Sequence, residues 1–231
     1  TYMNTKHKKP TLTKKQRHKL RVQQVRRQKI FLTCLFLLIV GCILLRFSKF
    51  SGRQEEAHQI NAACEAYRDE VSSEAAQYDM SDYVDLILAV MMQESSGQGT
   101  DPMQSSEGAY NTRYPQQPNG ITDPSYSISC GIQELKYALE KAVCTGPTDL
   151  SKIRLALQAY NFGADSYFAY LEENGQTVWT AQSAQAFAQM ASGGTQRDED
   201  DPLHDPAGPW DYGDQYYPDH VLRYYHLDNN S

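Results

Sequence analysis

The chain has 231 residues, of which 40% are hydrophobic and 11% aromatic, enough for one ordinary domain with appendages and for a packed core. These values exclude a large multidomain assembly and a chain that is disordered throughout. The net charge of −6 hides an uneven distribution: residues 1–53 carry 14 of the 22 Lys and Arg and no acid, whereas residues 54–231 carry 8 basic and 28 acidic residues, a net charge of −20.

A hydrophobic run of 16 uncharged residues, IFLTCLFLLIVGCILL at residues 30–45, separates the two parts. Extended by Phe47 and by snorkelling of the flanking Lys and Arg, this run predicts one transmembrane helix over residues 30–47. Eleven Lys and Arg precede it, so the positive-inside rule predicts a cytoplasmic basic tail at residues 1–29 and an extracytoplasmic remainder. We therefore predict a single-pass protein of the cell membrane.

Other interpretations of this N-terminal part fit less well. A cleaved signal peptide has a shorter basic leader than these 29 residues, and lipidation at Cys42 is disfavoured because apolar residues continue to Leu45. The basic tail could touch nucleic acid or anionic lipid. A topology signal explains the tail without either ligand, and we expect no nucleic-acid partner.

Apolar residues recur at helical spacing through most of the acidic part of the chain. An amphipathic helix is predicted over residues 55–77, as a stalk or first helix within a region at residues 48–79. The next segment, residues 81–97, has Ser81 or Asp82 to cap its start and is too apolar for a surface helix, so we expect it at the centre of the core. Further helices are predicted from about residue 128 to 143, over residues 149–160, from the break at 161–163 to 172, over 179–191, and from Pro218 to 225.

The predicted fold class is mostly α, with a small hairpin as an option in the Gly- and Pro-rich residues 99–123. We expect the main domain over residues 80–227, with residues 228–231 starting a linker or ending the chain. The sequence contains none of the short motifs for phosphate, nicotinamide or zinc binding, nor the serine-hydrolase elbow. We therefore expect no cofactor and no metal.

The cysteines do not indicate a disulfide framework. Cys34 and Cys42 fall in the predicted transmembrane helix, which leaves an odd number outside it, namely Cys64, Cys130 and Cys144. Cys130 and Cys144 could pair only if the chain turned back between them, because in one continuous helix they would lie about 20 Å apart. We expect mostly buried free thiols.

Glu94 is the residue whose position most suggests chemistry. It ends the most apolar helix of the chain and is followed by Ser95, Ser96 and Gly97. The helix C-terminus and burial against apolar side chains both disfavour a negative charge, so the pKa of Glu94 should be raised. A carboxylic acid that stays protonated near neutral pH can protonate the leaving oxygen of a glycosidic bond. The alternative is an exposed Glu at a helix end with no catalytic role.

Three separated segments are similar, in the same order, to the signatures of goose-type lysozymes and soluble lytic transglycosylases. They are Glu94-Ser95 at the end of an apolar helix, Pro102-Met103-Gln104 in the following loop, and Ala159-Tyr160-Asn161-Phe162-Gly163 at a helix end. The stretches MMQESSGQGTDPMQSSEG and YGDQYYPDHVLRYY resemble the lysozyme-like domain of membrane-anchored cell-wall hydrolases from Gram-positive conjugative transposons. The resemblance covers residues 83–225 and implies a lysozyme-like helical fold.

The resemblance also implies roles for residues at matching positions. Glu94 would be the general acid, Gln104 would line the sugar-binding groove, and Ser95, Tyr160 and Asn161 would bind substrate, with the Tyr160 phenol orienting the acid. These side chains suit a glycan, since a tyrosine offers a flat apolar face and amides match hydroxyl and N-acetyl groups. Tyr160 could instead be a core residue, and Asn161 could simply end a helix.

Two features depart from the family pattern. The interval from Glu94 to Gln104 is shorter than in the family, and Pro102 replaces a leucine, so the groove wall there could be built differently. The second carboxylate is open among Glu107, Asp101 and Asp123, and we expect Glu107 first and Asp101 next. Its separation from Glu94 would distinguish an inverting from a retaining hydrolase, and without one the substrate's own groups could close an anhydro ring.

The sequence thus predicts a peptidoglycan glycosidase that cleaves the β-1,4 bond between N-acetylmuramic acid and N-acetylglucosamine, as an N-acetylmuramidase or a lytic transglycosylase. The expected setting is local wall opening in conjugative transfer, with glycan strands and proteins of a conjugation or secretion channel as partners. The alternatives are a catalytically inactive glycan-binding or scaffold module of such a channel, and a purely structural single-pass receptor. Relatives of this type typically carry a cysteine-peptidase domain downstream, so the sequence could be part of a longer chain.

Overall fold

The computed structural model describes residues 59–201 and 204–226, all within the unit Ala57–Ser231. Its helices are α1 (Ala62–Glu65), α2 (Arg68–Gln77), a 3-10 turn (Ser81–Tyr83), α3 (Val84–Ser95), α4 (Pro124–Lys141), α5 (Leu150–Phe162), α6 (Ala164–Glu173), α7 (Ala181–Ala191) and α8 (Tyr217–Leu222). Among the described residues there is no strand, and one isolated antiparallel bridge pairs Gln196 with Trp210. The predicted mostly α fold is confirmed.

The predicted basic tail and transmembrane helix, residues 1–47, lie outside the described residues. Within the described part, no helix combines the length and the apolar character that crossing a bilayer requires.

Helix α3 lies at the centre of the core, as its composition predicts. Residues 86–91 are all buried, and α3 contacts α1, α2 and α8. The second half of the core is built on α5, which contacts α4, α6 and α8. Helix α8 therefore contacts both α3 and α5, and it brings the C-terminal part of the domain to the end of α3.

The start of the central helix differs from the prediction. Neither Ser81 nor Asp82 caps it; both belong to the 3-10 turn, and no side chain caps that turn or α3. The backbone N–H of Tyr83 is bonded instead to the carbonyl oxygen of Met80, at 2.9 Å. The 3-10 turn thus provides a hydrogen-bond acceptor for a backbone N–H that a capping side chain would otherwise bind.

The helix predicted over residues 55–77 is broken where it is described. It forms α1 and α2, which are separated by a turn at residues 66–67 where the Tyr67 N–H donates to the carbonyl oxygen of Cys64 at 3.0 Å. Asn61 caps the start of α1 by accepting a hydrogen bond from the Cys64 N–H at 2.8 Å. Asn61 also donates to the carbonyl oxygen of Ser96 at 3.0 Å, which fastens α1 to the end of α3. Cys64, Val71 and Ala75 are fully buried, so this segment is part of the packed core.

The remaining helices begin close to where the sequence predicts them. Asp123 accepts from Ser125 N at the start of α4, with Pro124 in the first turn, and Asp149 caps α5. Thr180 and Ser183 form a capping box at the start of α7. Helix α8 contains Pro218 in its first turn and ends at Leu222, three residues earlier than predicted.

The hairpin considered for residues 99–123 is wrong. This stretch consists of turns, because buried polar side chains rather than a partner strand satisfy its backbone. Asn111, for example, donates to the carbonyl oxygens of Ser106 at 2.6 Å and Tyr114 at 3.1 Å and accepts from Tyr114 N at 3.0 Å.

The described cysteines carry free thiols, as predicted. Cys64 and Cys130 are buried, and Cys144 is partly buried. Burial raises the pKa of the Cys64 thiol to about 11, so this thiol stays protonated and behaves as a small apolar side chain.

Gly97, directly after α3, offers a test of this packing. A Cβ at Gly97 would lie 2.7 Å from the backbone nitrogen of Cys64. We expect Gly97→Ala to lower the free energy of unfolding by about 2–4 kcal/mol, through left-handed strain plus this clash. Gly99 is the matched control, because its φ of +77° resembles the +73° of Gly97 but a Cβ there meets nothing within 4 Å. Urea denaturation should show that Gly99→Ala loses only about 1–2 kcal/mol; equal losses would contradict the predicted clash.

Candidate active site

Two clefts, of about 730 and 650 Å³, meet at the end of α3 and share Glu94, Gln104 and Asn161 in their linings. Together they form one groove with Glu94 at its middle. The C-terminal arm is lined mainly by residues 197–223, and the tyrosine arm by residues 107–110 and 160–166 with side chains that include Tyr110, Tyr137 and Tyr212.

Glu94 lies in the last turn of α3, and its Oε1 accepts a short hydrogen bond from the hydroxyl of Tyr217. Burial raises the pKa of Glu94 to about 7, and the negative charges of Asp214 and Asp101 act in the same direction. The hydrogen bond from Tyr217 lowers the pKa but does not outweigh burial. The carboxyl is therefore protonated in a substantial fraction of molecules at neutral pH.

Tyr217 positions this carboxyl from the first turn of α8. Its ring is buried and stacks on that of Tyr160, with the ring centroids 6.3 Å apart. The Tyr160 hydroxyl donates to the carbonyl oxygen of Met103 at 2.9 Å. The phenol that contacts the acid is thus that of Tyr217. The sequence resemblance had implied this role for Tyr160. Tyr160 itself lines the tyrosine arm.

Asn161 holds the loop before α8 as well as lining both arms. Its Oδ1 accepts from the backbone N–H of Asp214 at 2.7 Å. The preceding Gly213 has a φ of +48°, and a Cβ there would lie 2.7 Å from Asn161 Oδ1. Glycine is required at this position, since any side chain would push the loop away from Asn161.

Gln104 and Ser95 differ in their relation to the groove. Gln104 is exposed, lines both arms, and donates to the Asp101 carbonyl oxygen at 3.0 Å and to Asn119 Oδ1 at 3.1 Å. Ser95 is not among the residues that line either arm; its hydroxyl donates to the carbonyl oxygen of Pro102 at 2.8 Å. Ser95 therefore ties the end of α3 to the loop that carries Gln104.

The three acids considered as a second carboxylate have different surroundings. Asp101 is 1% exposed and accepts from Ser105 N at 3.0 Å, from Ser106 N at 3.1 Å, from Ser127 Oγ at 2.6 Å and, at short range, from the Ser106 hydroxyl. It organises the turns of residues 99–123. Asp123 caps α4, whereas Glu107 is exposed on the tyrosine arm.

Among the described residues, four further acids line the groove that were not predicted from the sequence: Glu134, Asp165, Asp205 and Asp214. Asp214 lines the C-terminal arm, and its Oδ2 lies 2.5 Å from Nδ1 of His220, whose pKa is raised by this contact. Glu134 lines the tyrosine arm; burial raises its pKa to about 7, and its Oε1 has no hydrogen-bond partner in the described part of the chain. The sequence around Glu134 gives no sign of a site residue, because a polar side chain at this position is ordinary in an amphipathic helix. Asp214 belongs to the C-terminal stretch that carries the family resemblance.

The family model described as Lysozyme-like matches residues 62–225. The chain belongs to the lysozyme-like family. The lysozyme-like family predicted for residues 83–225 is therefore confirmed, and the match extends it to include α1 and α2.

Relatives of this lysozyme-like chain include two proteins of Bacillus subtilis. It is 35% identical over 173 residues to the bifunctional muramidase/DL-endopeptidase CwlT of Bacillus subtilis (strain 168), which covers 75% of this chain and 43% of CwlT. It is 40% identical over 115 residues to the uncharacterized membrane protein YocA of the same organism, which covers 48% of this chain and 45% of YocA. The chain thus spans less than half the length of either relative.

A solved structure is also similar. The crystal structure of a protein similar to lipoprotein, of the NLP/P60 family, from Staphylococcus aureus subsp. aureus Mu50 superposes with a TM-score of 0.62 at 28% sequence identity, covering 75% of this chain and 56% of that one.

The contact between Tyr217 and Glu94 can be tested without substrate. Tyr217→Phe removes a hydrogen bond that lowers the pKa of Glu94, so we expect this pKa to rise above its value of about 7. NMR titration of the ¹³C-labelled carboxyl would measure the change. Tyr160→Phe is the matched control, because its hydroxyl contacts Met103 instead. A pKa that stays constant or falls in Tyr217→Phe would contradict this role.

Proposed function

We propose that the lysozyme-like domain is a peptidoglycan glycosidase that cleaves the β-1,4 bond between N-acetylmuramic acid and N-acetylglucosamine, with Glu94 as the general acid. The observation that carries the proposal is the position of Glu94, a carboxyl with a pKa of about 7 at the middle of an open groove. The name of CwlT, a muramidase that is 35% identical, supports it.

The proposed reaction begins with proton transfer from Glu94 to the glycosidic oxygen. Cleavage requires an acid that is still protonated at the working pH but is not so weak that it holds its proton, and a pKa near 7 meets both conditions. The hydrogen bond from Tyr217 to Oε1 fixes the carboxyl while Oε2 is left to face the glycan. After the transfer, the same hydrogen bond stabilises the carboxylate.

The groove offers suitable surfaces for a glycan on both sides of the acid. Tyr110, Tyr137 and Tyr212 present aromatic faces in the tyrosine arm, on which sugar rings can stack. At the centre, Gln104 and Asn161 supply amide groups for hydroxyl and N-acetyl contacts. Ser95 and Tyr160 would support the site through the Pro102 and Met103 carbonyl contacts of their hydroxyls.

The second carboxylate is proposed from the groove lining. Glu107 is our first candidate in the tyrosine arm, and Asp214 is the corresponding acid in the C-terminal arm. Asp101 is less suited, because its oxygens already accept four hydrogen bonds from serines. A hydrolase would leave reducing N-acetylmuramic ends and a lytic transglycosylase anhydro ends, so mass spectrometry of the products would distinguish the two reactions.

We also propose that the domain works outside the membrane, anchored by the helix predicted at residues 30–47 with the N-terminus in the cytoplasm. The name of YocA as a membrane protein supports such a setting. A net charge of −20 over residues 54–231 does not hold the domain to an anionic wall, so an anchor would keep it near its substrate. Wall opening during conjugative transfer, with channel proteins as partners, is the role that we propose for this arrangement.

Replacing the acid tests the reaction. Glu94→Gln should reduce release of glycan fragments from purified cell walls to background, since an amide cannot donate the required proton. Glu173→Gln, an exposed position on α6, is the control and should act like the wild type. Undiminished activity of Glu94→Gln would contradict the proposal. Saturable glycan binding by the wild type without any product would indicate a glycan-binding module instead.

The same variant should remain folded, which can be shown by its stability. The unfolded chain ionises Glu94 near its ordinary pKa of 4.5, whereas the folded protein keeps the proton until about pH 7. The folded state therefore binds more protons between these values, and stability falls as the pH rises through this window. Glu94→Gln avoids this penalty, so urea denaturation at pH 8 should show a gain of up to about 3 kcal/mol. A loss at pH 8 would contradict the burial of the carboxyl.

The pH dependence gives an independent test. Activity should fall as the pH rises through about 7, where Glu94 loses its proton. In Tyr217→Phe the residual activity should show this alkaline limb at higher pH. Glu134→Gln removes the other groove carboxyl with a pKa of about 7. Because the two carboxylates repel each other, the limb should move, if at all, to lower pH, and activity should persist. Loss of activity in Glu134→Gln with activity retained in Glu94→Gln would assign the acid to Glu134.

A further inference from the structure

The basic side chains of the acidic part of the chain are unevenly placed. Residues 54–231 contain eight Lys and Arg, and five of these form ion pairs with surface carboxylates: Arg68, Lys136, Lys141, Arg154 and Arg197. Two of the eight, Arg197 and Arg223, line the C-terminal arm of the groove together with His204 and His220. This arm thus combines two arginines with two imidazoles on an otherwise acidic domain.

Arg223 is held beside the acid without being neutralised. Its Nη2 donates to Gln93 Oε1 at 2.9 Å, and Gln93 immediately precedes Glu94 on α3. Because the partner is an uncharged amide, the hydrogen bond orients the guanidinium and leaves its charge available. The side chain is exposed to solvent on the groove, so a ligand can reach it.

His220 also lines the C-terminal arm. It lies three residues before Arg223, so both side chains lie on one face of α8 and its continuation. Its Nδ1 contacts Asp214, which leaves Nε2 for a ligand. Nδ1 of His204 is buried and has no hydrogen-bond partner in the described part of the chain. Acids are present too, since Asp205 and Asp214 line this arm, but Asp214 is paired with His220.

Arg197 supports the arm rather than facing a ligand. Its side chain is 7% exposed, and it donates to the Gly213 carbonyl oxygen at 3.0 Å and lies 3.5 Å from Asp211. It therefore fixes the loop that precedes α8. The exposed guanidinium of Arg223 is the group that remains for a ligand.

The tyrosine arm has the opposite character. Among its described lining residues there is no Lys, Arg or His, and the acids Glu107, Glu134 and Asp165 accompany the aromatic rings. Asp165 is neutralised by Lys141 at 2.6 Å, whereas the other two acids have no such partner among the contacts described. The described lining of the tyrosine arm therefore has no cationic residue to pair with an anionic ligand, whereas the C-terminal arm has the exposed Arg223.

We propose that the C-terminal arm, through Arg223 with His220, binds a carboxylate carried by the muramyl residue of the glycan. This inference rests on the proposed function. In a peptidoglycan strand only the muramyl sugar is substituted with an acid, either as the free lactyl carboxylate or, when the lactyl group is amidated by a stem peptide, as the carboxylates of that peptide. N-acetylglucosamine is neutral and suits the tyrosine arm. The charge asymmetry would thus fix the direction in which the strand lies across Glu94.

The test measures binding, so that it does not depend on turnover. The background is Glu94→Gln, and isothermal titration gives Kd for three probes: a wall-derived tetrasaccharide with stem peptides, the same tetrasaccharide after amidase removal of the stems, and the stem-bearing probe with its carboxylates converted to amides. Adding Arg223→Gln should weaken binding of at least one acidic probe about tenfold, the effect expected for one charge-assisted hydrogen bond. The neutral probe should bind both proteins equally. The acidic probe that is affected identifies the stem or the lactyl group as the source of the carboxylate.

The control is Arg113→Gln, which removes the same charge from an exposed side chain that lies over Tyr126, outside the groove lining. It should leave all three values of Kd unchanged. The proposal would be overturned if Arg113→Gln weakened binding as much as Arg223→Gln does. It would also be overturned if Arg223→Gln had no effect, or the same effect on acidic and neutral probes. Product formation by the wild type is measured separately, so failure of the glycosidase assignment is distinguishable from failure of this one.

Discussion

The site depends on the burial of one carboxyl at the end of an apolar helix. Residues 86–91 of helix α3 are buried in the core. Because a close-packed core allows little movement of this helix, the position of Glu94 at its end is fixed. Low polarity around it raises its pKa to about 7, and Tyr217 holds it in one orientation. The stability that is lost by keeping this carboxyl buried is offset elsewhere in the core, which is the usual pattern at functional sites.

Several polar residues that the sequence suggests as site residues make hydrogen bonds that hold the segments around the groove together. Asp101 binds the turns of residues 99–123, Ser95 fastens α3 to them, and Asn161 fastens the loop before α8. These hydrogen bonds make the groove rigid, because each wall is tied to a helix that belongs to the core. A rigid groove loses little conformational entropy when it binds an extended ligand. The architectural role of Asn161 and a role in binding are compatible, since its Oδ1 accepts from the Asp214 N–H while the residue lines both arms.

The sequence predicts the elements well and the contacts between them poorly. Helical spacing is a local property, so α3 to α8 are found within a few residues of their predicted positions. The start of the first helix at residue 62 is missed because its cap, Asn61, is held by Ser96, 35 residues away. Glu94 is predicted from its own helix, whereas its partner Tyr217 lies 123 residues further along the chain. Glu134 and Asp214 become groove residues only when α4 and the loop before α8 are packed around α3.

Glu94 and the C-terminal arm are linked through Asp214. Its negative charge raises the pKa of Glu94, and the same charge raises the pKa of His220. While His220 is protonated, the pair is close to neutral and disturbs Glu94 little. Once His220 loses its proton, the charge of Asp214 is uncompensated and favours the protonated form of Glu94 more strongly. The protonation of His220 and that of Glu94 are therefore coupled through Asp214, so that loss of the His220 proton favours retention of the Glu94 proton. An anion bound at Arg223 and His220 would stabilise the protonated imidazole, so ligand charge and acid strength are coupled through one aspartate.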